Sequence, residues 1–234
     1  MFAAARADLP SRGRLTRRRL EAAPIVMRRI VLALCLSAVS SGLGAAVPGF
    51  QHELSDSDKA DLDRVSAALN AIHTMKASFV QIGPEGQVDN GSVYIEKPGR
   101  MRFEYAQPNP TLVVSDGATV AVENRRLDTV DRYPIWSTPL NLILSGDVNL
   151  KKNEEIAGVQ HQAGELIVDA RAHSSKVNGN ITLVFAEPDL ELRQWTIVDA
   201  QGLATTVSIR DVSPNVPLDP SLFVIPEMHA KKGE

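Results

Sequence analysis

The feature that most constrains this chain is a period-two alternation of apolar and polar side chains that recurs along much of its length. It is clearest over residues 100–105, which read Arg-Met-Arg-Phe-Glu-Tyr. Successive side chains of a strand point to opposite faces, so a strand here places Met101, Phe103 and Tyr105 on one face and the charged residues on the other. Strands of this kind predict a sheet with one face on the core and the other toward solvent.

The same alternation, bounded by turn residues, predicts further strands. Turn signals such as Asp116-Gly117, Asn178-Gly179 and Gln201-Gly202 stand between them, and the short connections favour antiparallel meanders. The ten predicted strands lie at 79–82, 87–96, 100–105, 112–115, 119–123, 127–133, 165–172, 181–186, 191–198 and 203–212.

Two stretches have helical rather than strand character. Apolar residues from Leu62 to Ile72 recur at helical spacing behind capping residues at 55–57. The second stretch is apolar on nearly every face, with Thr138 as the predicted N-cap, Pro139 in the first turn and Gly146 at the end. The predicted fold class is mainly β with helices (α+β), a single curved antiparallel sheet whose apolar face is covered by short helices. The pattern favours a packed core between the sheet and these helices, and a cavity in the same place is the alternative.

The N-terminal region has the order of an export signal. Residues 1–26 are rich in arginine, and Met27 is followed by two arginines, an apolar run at 30–39 and small residues to position 46. This order predicts a secretory signal peptide at 27–46, whose apolar run of ten residues is too short to span a bilayer as a mature helix. We expect a soluble, unanchored periplasmic protein that begins at Val47, and we interpret residues 1–26 as a start codon assigned too early or as a basic extension.

Charge and motifs argue against several function classes. The chain has a net charge of −3, but residues 47–234 carry 17 basic and 26 acidic side chains, a net of −9. An acidic domain predicts no nucleic-acid partner, because phosphate binding depends on clustered cations. The five histidines are scattered without metal-ligand spacing, and neither His161 nor His173 has a carboxylate motif beside it. We therefore predict no catalytic residues, metal or cofactor; a hydrolase with a site assembled from distant residues is the alternative.

Motifs in the mature region resemble one family. Residues 75–81 follow an apolar-x-polar-Phe-x-Gln pattern, and residues 91–103 follow a Gly-x-apolar-x-apolar block that leads through a basic residue and proline to an aromatic. Further matches occur in order at 107–108, 113–117, 138–140 and 218–223. Together they resemble the LolA family of periplasmic lipoprotein carrier proteins, over a domain predicted at 47–228 with a disordered tail at 229–234.

The resemblance implies an incomplete β-barrel lidded by helices, whose apolar cavity holds the acyl chains of lipoproteins. It also implies a monomer that takes cargo from an inner-membrane ABC transporter and passes it to an outer-membrane receptor lipoprotein where one exists. The cavity candidates are apolar or aromatic strand residues, namely Phe79, Val93, Ile95, Met101, Phe103, Tyr105 and Val113. The lid candidates follow the sixth predicted strand, namely Trp136, Leu140, Leu142, Ile143 and Leu144.

One departure from the family pattern concerns control of the lid. Where the family has arginine before proline, implicated in lid closure, this chain has Lys97. Lysine lacks the planar fork of arginine, so lid control differs or else Arg100 or Arg102 substitutes; the other interpretation of Lys97 is a solvated charge at a strand end. The alternatives for the whole protein are a periplasmic lipid- or glycolipid-binding protein and an envelope-sensor half-barrel.

Overall fold

The computed structural model describes residues 53–153, 155–174, 177–199 and 201–227. Its helices are α1 (Asp56–Asn70) and the single turn α2 (Asn141–Leu144), with 3₁₀ turns at Ile135–Ser137, Leu150–Lys152 and Pro220–Phe223. Its strands are β1 (Thr74–Ile82), β2 (Val88–Glu96), β3 (Arg100–Tyr105), β4 (Thr111–Asp116), β5 (Thr119–Asn124), β6 (Thr129–Pro134), β7 (Ile156–Gln162), β8 (Glu165–Ser174), β9 (Val177–Ala186), β10 (Glu191–Asp199) and β11 (Ala204–Pro214).

All of these strands form one open antiparallel sheet, which confirms the predicted fold class. The strand order is β6-β5-β4-β3-β2-β1-β11-β10-β9-β8-β7. Each half is a meander, and the halves meet where β1 pairs with β11, as in the partnership of Phe79 with Ile209. The sheet ends in the edge strands β6 and β7, so it is not closed.

The main core lies on the face of the sheet that α1 covers. A capping box formed by Ser55 and Asp58 starts this helix. Its apolar stripe (Leu62, Val65 and Leu69) is buried in the same cluster as the inward residues of the strands. Helical spacing on α1 and period-two spacing on the strands therefore meet in a single core, as the sequence predicts.

The opposite face of β3 and β4 is also covered. The turn Pro220–Phe223 lies against these strands, and Leu112 and Val114 are buried there. Arg102, predicted on this face, donates from Nη1 to the carbonyl of Leu222 at 3.0 Å. The predicted faces of β3 are confirmed, but Arg102 is held under the C-terminal segment rather than in open solvent.

Two details of the predicted secondary structure are wrong. The sequence analysis missed β7, whose short, weakly apolar sequence contains a bulge near Gly158. The predicted helix boundaries at Thr138, Pro139 and Gly146 are also wrong. The turn α2 begins after Leu140 without a side-chain cap and ends at Leu144, and the Thr138 hydroxyl donates instead to the Ile135 carbonyl. Residues 1–26, the signal peptide predicted at 27–46, the start at Val47 and the tail at 229–234 lie outside the described residues. Within the described part of the chain, no helix has the length and apolar character needed to cross a membrane.

Candidate functional site

The covered face of the sheet brings the predicted cavity residues together. Phe79, Val93, Ile95, Met101 and Phe103 are buried in the main cluster, and two others, Tyr105 and Val113, are half-buried and pack against it. They come from β1 to β4, where the antiparallel register places inward side chains of neighbouring strands side by side. The seven residues therefore form one continuous apolar surface.

Aromatic rings lie at the centre of this surface. The Phe79 ring meets those of Phe103 and Tyr105 edge-on, with centroids 5.2 and 5.1 Å away. Phe103 in turn contacts Trp195 of β10, with centroids 6.2 Å apart. Edge-to-face contacts of this kind are a favourable arrangement of aromatic pairs. The rings join the two halves of the sheet into one packed surface.

We call residues 135–146 the lid segment. Ile143 and Leu144 are buried in the main cluster, and Leu140 and Leu142 are half-buried against it. Trp136 is 56% exposed. The segment thus presents an apolar inner side to the sheet while keeping part of its apolar surface in contact with solvent.

A cleft of about 590 Å³ separates the lid segment from the residues that follow it. Its lining includes Trp136 and Leu142 of the lid segment and Val148, Asn149 and Lys152 of the residues that follow. None of the predicted cavity residues lines it. An acyl cavity between the sheet and the lid therefore stays a prediction, and in this structure the residues proposed to line it are packed against one another.

The turn between β2 and β3 connects both covering elements to the sheet. The Gly99 N–H donates to the carbonyl of Leu144 in the lid segment at 2.9 Å. Lys97 instead donates from Nζ to the carbonyl of Leu69, near the C-terminus of α1, at 2.7 Å. A cation is favourable at that end of the helix dipole, but burial lowers the pKa of Lys97 to about 8.

Neither residue predicted to control the lid bonds to the lid segment through these side-chain contacts. Lys97 bonds to α1, and Arg100 pairs with Glu96 at 2.9 Å. The described contact from this turn to the lid is the Gly99 amide, which the sequence analysis did not identify. A backbone donor carries no side-chain signature, so the motif alone could not have indicated it. The lid-control role of Lys97 and Arg100 stays a prediction.

A polar cluster fixes α1 to the far half of the sheet. Asp61 accepts from Arg64 at 2.8 Å and lies 2.9 Å from Nε2 of His161 on β7. Glu187 lies 3.4 Å from Arg64 and 3.7 Å from Nδ1 of His161. The hydrogen bond to Asp61 and the charges of both carboxylates raise the pKa of His161. The sequence showed no carboxylate beside His161; in space there are two, brought from distant positions by the fold.

A second polar pair lies at the end of the covered face away from α1. The Tyr105 hydroxyl donates to Oε1 of Gln81 at 2.8 Å. Burial, the largest cause, and the charge of Asp89 raise the pKa of Tyr105, so its hydroxyl keeps its proton. Sequence analysis assigned Tyr105 to the cavity and gave Gln81 no role, although the alternation along β1 places Gln81 on the same face as Phe79.

Known proteins resemble this chain over most of its described length. The family model "Outer membrane lipoprotein carrier protein LolA" matches residues 70–226, more than half of the chain. The outer-membrane lipoprotein carrier protein of Methylococcus capsulatus is 27% identical over 169 residues, covering 68% of this chain and 80% of that protein. The Legionella pneumophila protein of the same name is 29% identical over 184 residues, covering 74% and 88%. A solved LolA superfamily protein from Nitrosomonas europaea has 9% identity and a TM-score of 0.40, over 70% of this chain and 97% of that one.

Proposed function

This chain belongs to the LolA family of outer membrane lipoprotein carrier proteins, and we propose that it binds the acyl chains of lipoproteins between the lid segment and the covered face of its sheet. The observation that carries this proposal is the lid segment itself. It packs Ile143 and Leu144 against the sheet while Trp136 stays 56% exposed. An apolar segment of this kind can move outward and let apolar chains take its place on the sheet.

The carrier role follows from the cost of moving acyl chains through water. Each buried methylene is worth about 0.8 kcal/mol, so a lipidated protein does not cross an aqueous compartment unshielded. The donor and acceptor membranes are also apolar, so the net free energy of transfer to the carrier has to be small. A closed lid supports both needs: it covers the apolar face of the empty carrier, and its displacement offsets part of the binding free energy.

The residues proposed to line the binding surface are the seven cavity candidates of β1 to β4. Phe79 and Phe103 form its centre, and Met101, Val93 and Ile95 adjoin them. In the closed state these side chains fill their own space, so opening has to separate the lid segment from them. The Gly99–Leu144 hydrogen bond is the contact that breaks in this motion, and Lys97 and Arg100 on the same turn are the proposed lid-control residues.

The proposed partners and location follow from the same role. The carrier acts in the periplasm as a monomer without enzymatic activity. It receives lipidated proteins from an inner-membrane ABC lipoprotein-release transporter and delivers them to an outer-membrane receptor lipoprotein. Release at each step requires no covalent chemistry, only a competition between apolar surfaces.

The test is a paired measurement on Leu142→Asp. A half-buried lid residue can turn its new carboxylate to water, so the melting temperature falls by only a few degrees, about as much as for loss of the leucine side chain alone. Acyl binding, read from displacement of a fluorescent fatty-acid probe by a triacylated peptide, falls at least about tenfold because the charge lies beside the acyl chains.

Leu127→Asp is the matched control, because Leu127 is a 45% exposed leucine in the turn between β5 and β6. It should leave both binding and melting unchanged. A wild-type protein that binds no probe, together with a Leu142→Asp variant that loses stability as a core residue would, contradicts the proposal.

A further inference from the structure

Gln81 is a polar residue in an apolar row. Along β1 the inward positions are Met75, Ala77, Phe79 and Gln81, and all four are buried. The first of them lies beside the C-terminus of α1, and Gln81 lies at the other end of the strand, opposite Asp89 of β2. The span from Met75 to Gln81 is roughly 20 Å at the rise of a strand, comparable with an extended fatty acyl chain.

The hydrogen bonds of Gln81 are incomplete. Its Oε1 accepts from the Tyr105 hydroxyl at 2.8 Å. Its Nε2 is buried and has no hydrogen-bond partner among the described residues, while the side chain as a whole is only 5% exposed. Turning the amide over would give Nε2 the Tyr105 oxygen and leave Oε1 unpartnered instead. A buried amide donor without an acceptor is unfavourable, and such groups in folded proteins are uncommon.

Among the described residues, the side chains around this amide leave Nε2 without an acceptor. Asp89 lies opposite Gln81 on β2, but its carboxylate makes no hydrogen bond to Nε2, and the other inward neighbours are the Phe79 ring and, beyond it, Phe103 and Trp195. Tyr105 packs edge-on against Phe79, and its hydroxyl bond to Oε1 fixes the amide in place. The unpartnered donor therefore lies at the end of the apolar row, beside the half-buried Tyr105.

We propose that Gln81 Nε2 is the donor for the acyl carbonyl of the bound lipid. The carbonyl accepts from Nε2 at the Tyr105 end, and the methylenes follow the apolar row toward α1. This inference rests on the proposed carrier function and extends it. The site then selects fatty acyl esters and amides over lipids without a carbonyl, because a ligand that lacks the acceptor leaves the buried donor unpaired.

The experiment compares two synthetic lipopeptides that differ only in their linkage, one diester and one diether, on the wild type and on Gln81→Met. Wild type should prefer the diester by roughly threefold to tenfold, the ratio expected for one neutral hydrogen bond. Gln81→Met should bind both probes equally, because it removes the unpaired donor and keeps the side-chain volume. It also removes the acceptor of the Tyr105 hydroxyl, so some loss of stability is expected and the binding ratio, not the melting temperature, is the readout. The ratio is measured within each variant, so a loss of folded fraction cancels, and Gln81→Leu serves as a second variant if the methionine does not fold.

Gln194→Met is the matched control. Gln194 lies on β10 with its Oε1 already paired to Ser208, on the opposite side of the strand from buried Trp195. It should keep the wild-type ester preference. An equal diester-to-diether ratio in wild type and Gln81→Met overturns the carbonyl contact while leaving the carrier function intact. Failure of wild type to bind either lipopeptide overturns the carrier function itself.

A short-chain diester phospholipid distinguishes the source of the carbonyl. Binding as tight as the diester lipopeptide, and equally dependent on Gln81, supports a contact to any diacyl lipid. Weaker binding supports additional recognition of the peptide part of the lipopeptide, next to its acyl chains. Binding that does not depend on Gln81 contradicts the proposed contact.

Discussion

The two elements that cover the sheet, α1 and the lid segment, are held in different ways. α1 has a side-chain capping box, a buried apolar stripe and the polar cluster around Asp61. The turn α2 has no side-chain cap. Among the described residues, two backbone hydrogen bonds connect the lid segment to turns of the sheet, from the Gly99 N–H to the Leu144 carbonyl and from the Ile135 N–H to the Ala118 carbonyl. A cover held mainly by apolar contacts opens at lower free energy than one also fixed by polar groups, so the same face has a fixed cover and a movable one.

The largest expected contrast is between truncations in the two covers. Leu62→Ala removes a fully buried side chain of α1 and should lower the free energy of unfolding by about 2–5 kcal/mol. Leu142→Ala, in the half-buried lid segment, should cost about 1 kcal/mol. Urea denaturation of both variants measures the difference. Equal losses of unfolding free energy would contradict the proposed difference, since they would mean that the lid segment is as firmly packed as α1.

A smaller contrast concerns two serines. Ser66 of α1 donates to the Leu62 carbonyl and accepts from the buried Leu150 N–H at 3.0 Å. Ser66→Ala leaves that N–H unpaired and should lower the free energy of unfolding by about 1–3 kcal/mol. Ser145→Ala, at the end of the lid segment, removes exposed bonds to Asp147 and should change it by less than about 0.5 kcal/mol. A Ser66→Ala variant as stable as wild type would show that side-chain hydrogen bonds do not hold α1 more firmly than the lid segment.

The smallest expected effect is a pH dependence of the melting temperature, which arises where His161 of β7 bonds to Asp61 of α1. The folded pKa of His161 is raised above its ordinary 6.5, so the protonated form favours the folded state. Its contribution is fully present below pH 6.5 and is lost as the pH rises through the raised folded value. The melting-temperature difference between wild type and His161→Gln should therefore be largest at the acid end of a series from about pH 5 to 9 and disappear at the alkaline end.

Asp61 also accepts a hydrogen bond from Arg64 at 2.8 Å, so His161 is one of two partners of this carboxylate, which is why the His161 effect is small. A difference that grows with pH would reverse the assigned sign. A constant difference would mean that His161 acts through packing rather than charge.

Much of the fold follows from local sequence. The alternation at 100–105 predicted β3 with its observed bounds and faces, and the stripe from Leu62 to Leu69 predicted the buried side of α1. β7 was missed because its pattern is interrupted by the bulge near Gly158 and few of its side chains are buried. The Thr138 cap failed because a threonine hydroxyl can bond backward to a carbonyl as readily as forward to an amide.

The candidate site was less predictable. Period-two spacing placed Phe79 and Phe103 on one face, but spacing does not tell a filled core from a closed cavity. The pair of Asp61 and His161 is separated by 100 residues, and no local motif connects them. Gln81 was visible only as a polar residue at an inward position. Whether its Nε2 finds a hydrogen-bond acceptor depends on the side chains of neighbouring strands, and the sequence alone does not give the register of those strands.

The pairing of β1 with β11 also sets the order in which the chain can fold. Phe79 finds Ile209 only after the whole second meander has been made, so the contact that joins the halves is among the most distant in the sequence. Such contacts carry a high loop-closure entropy and slow the rate-limiting step of folding. A nascent chain therefore cannot complete its core until the last strand emerges. Until then the inward face of the first meander, with Phe79 and Phe103, lacks the neighbours that β10 and β11 supply.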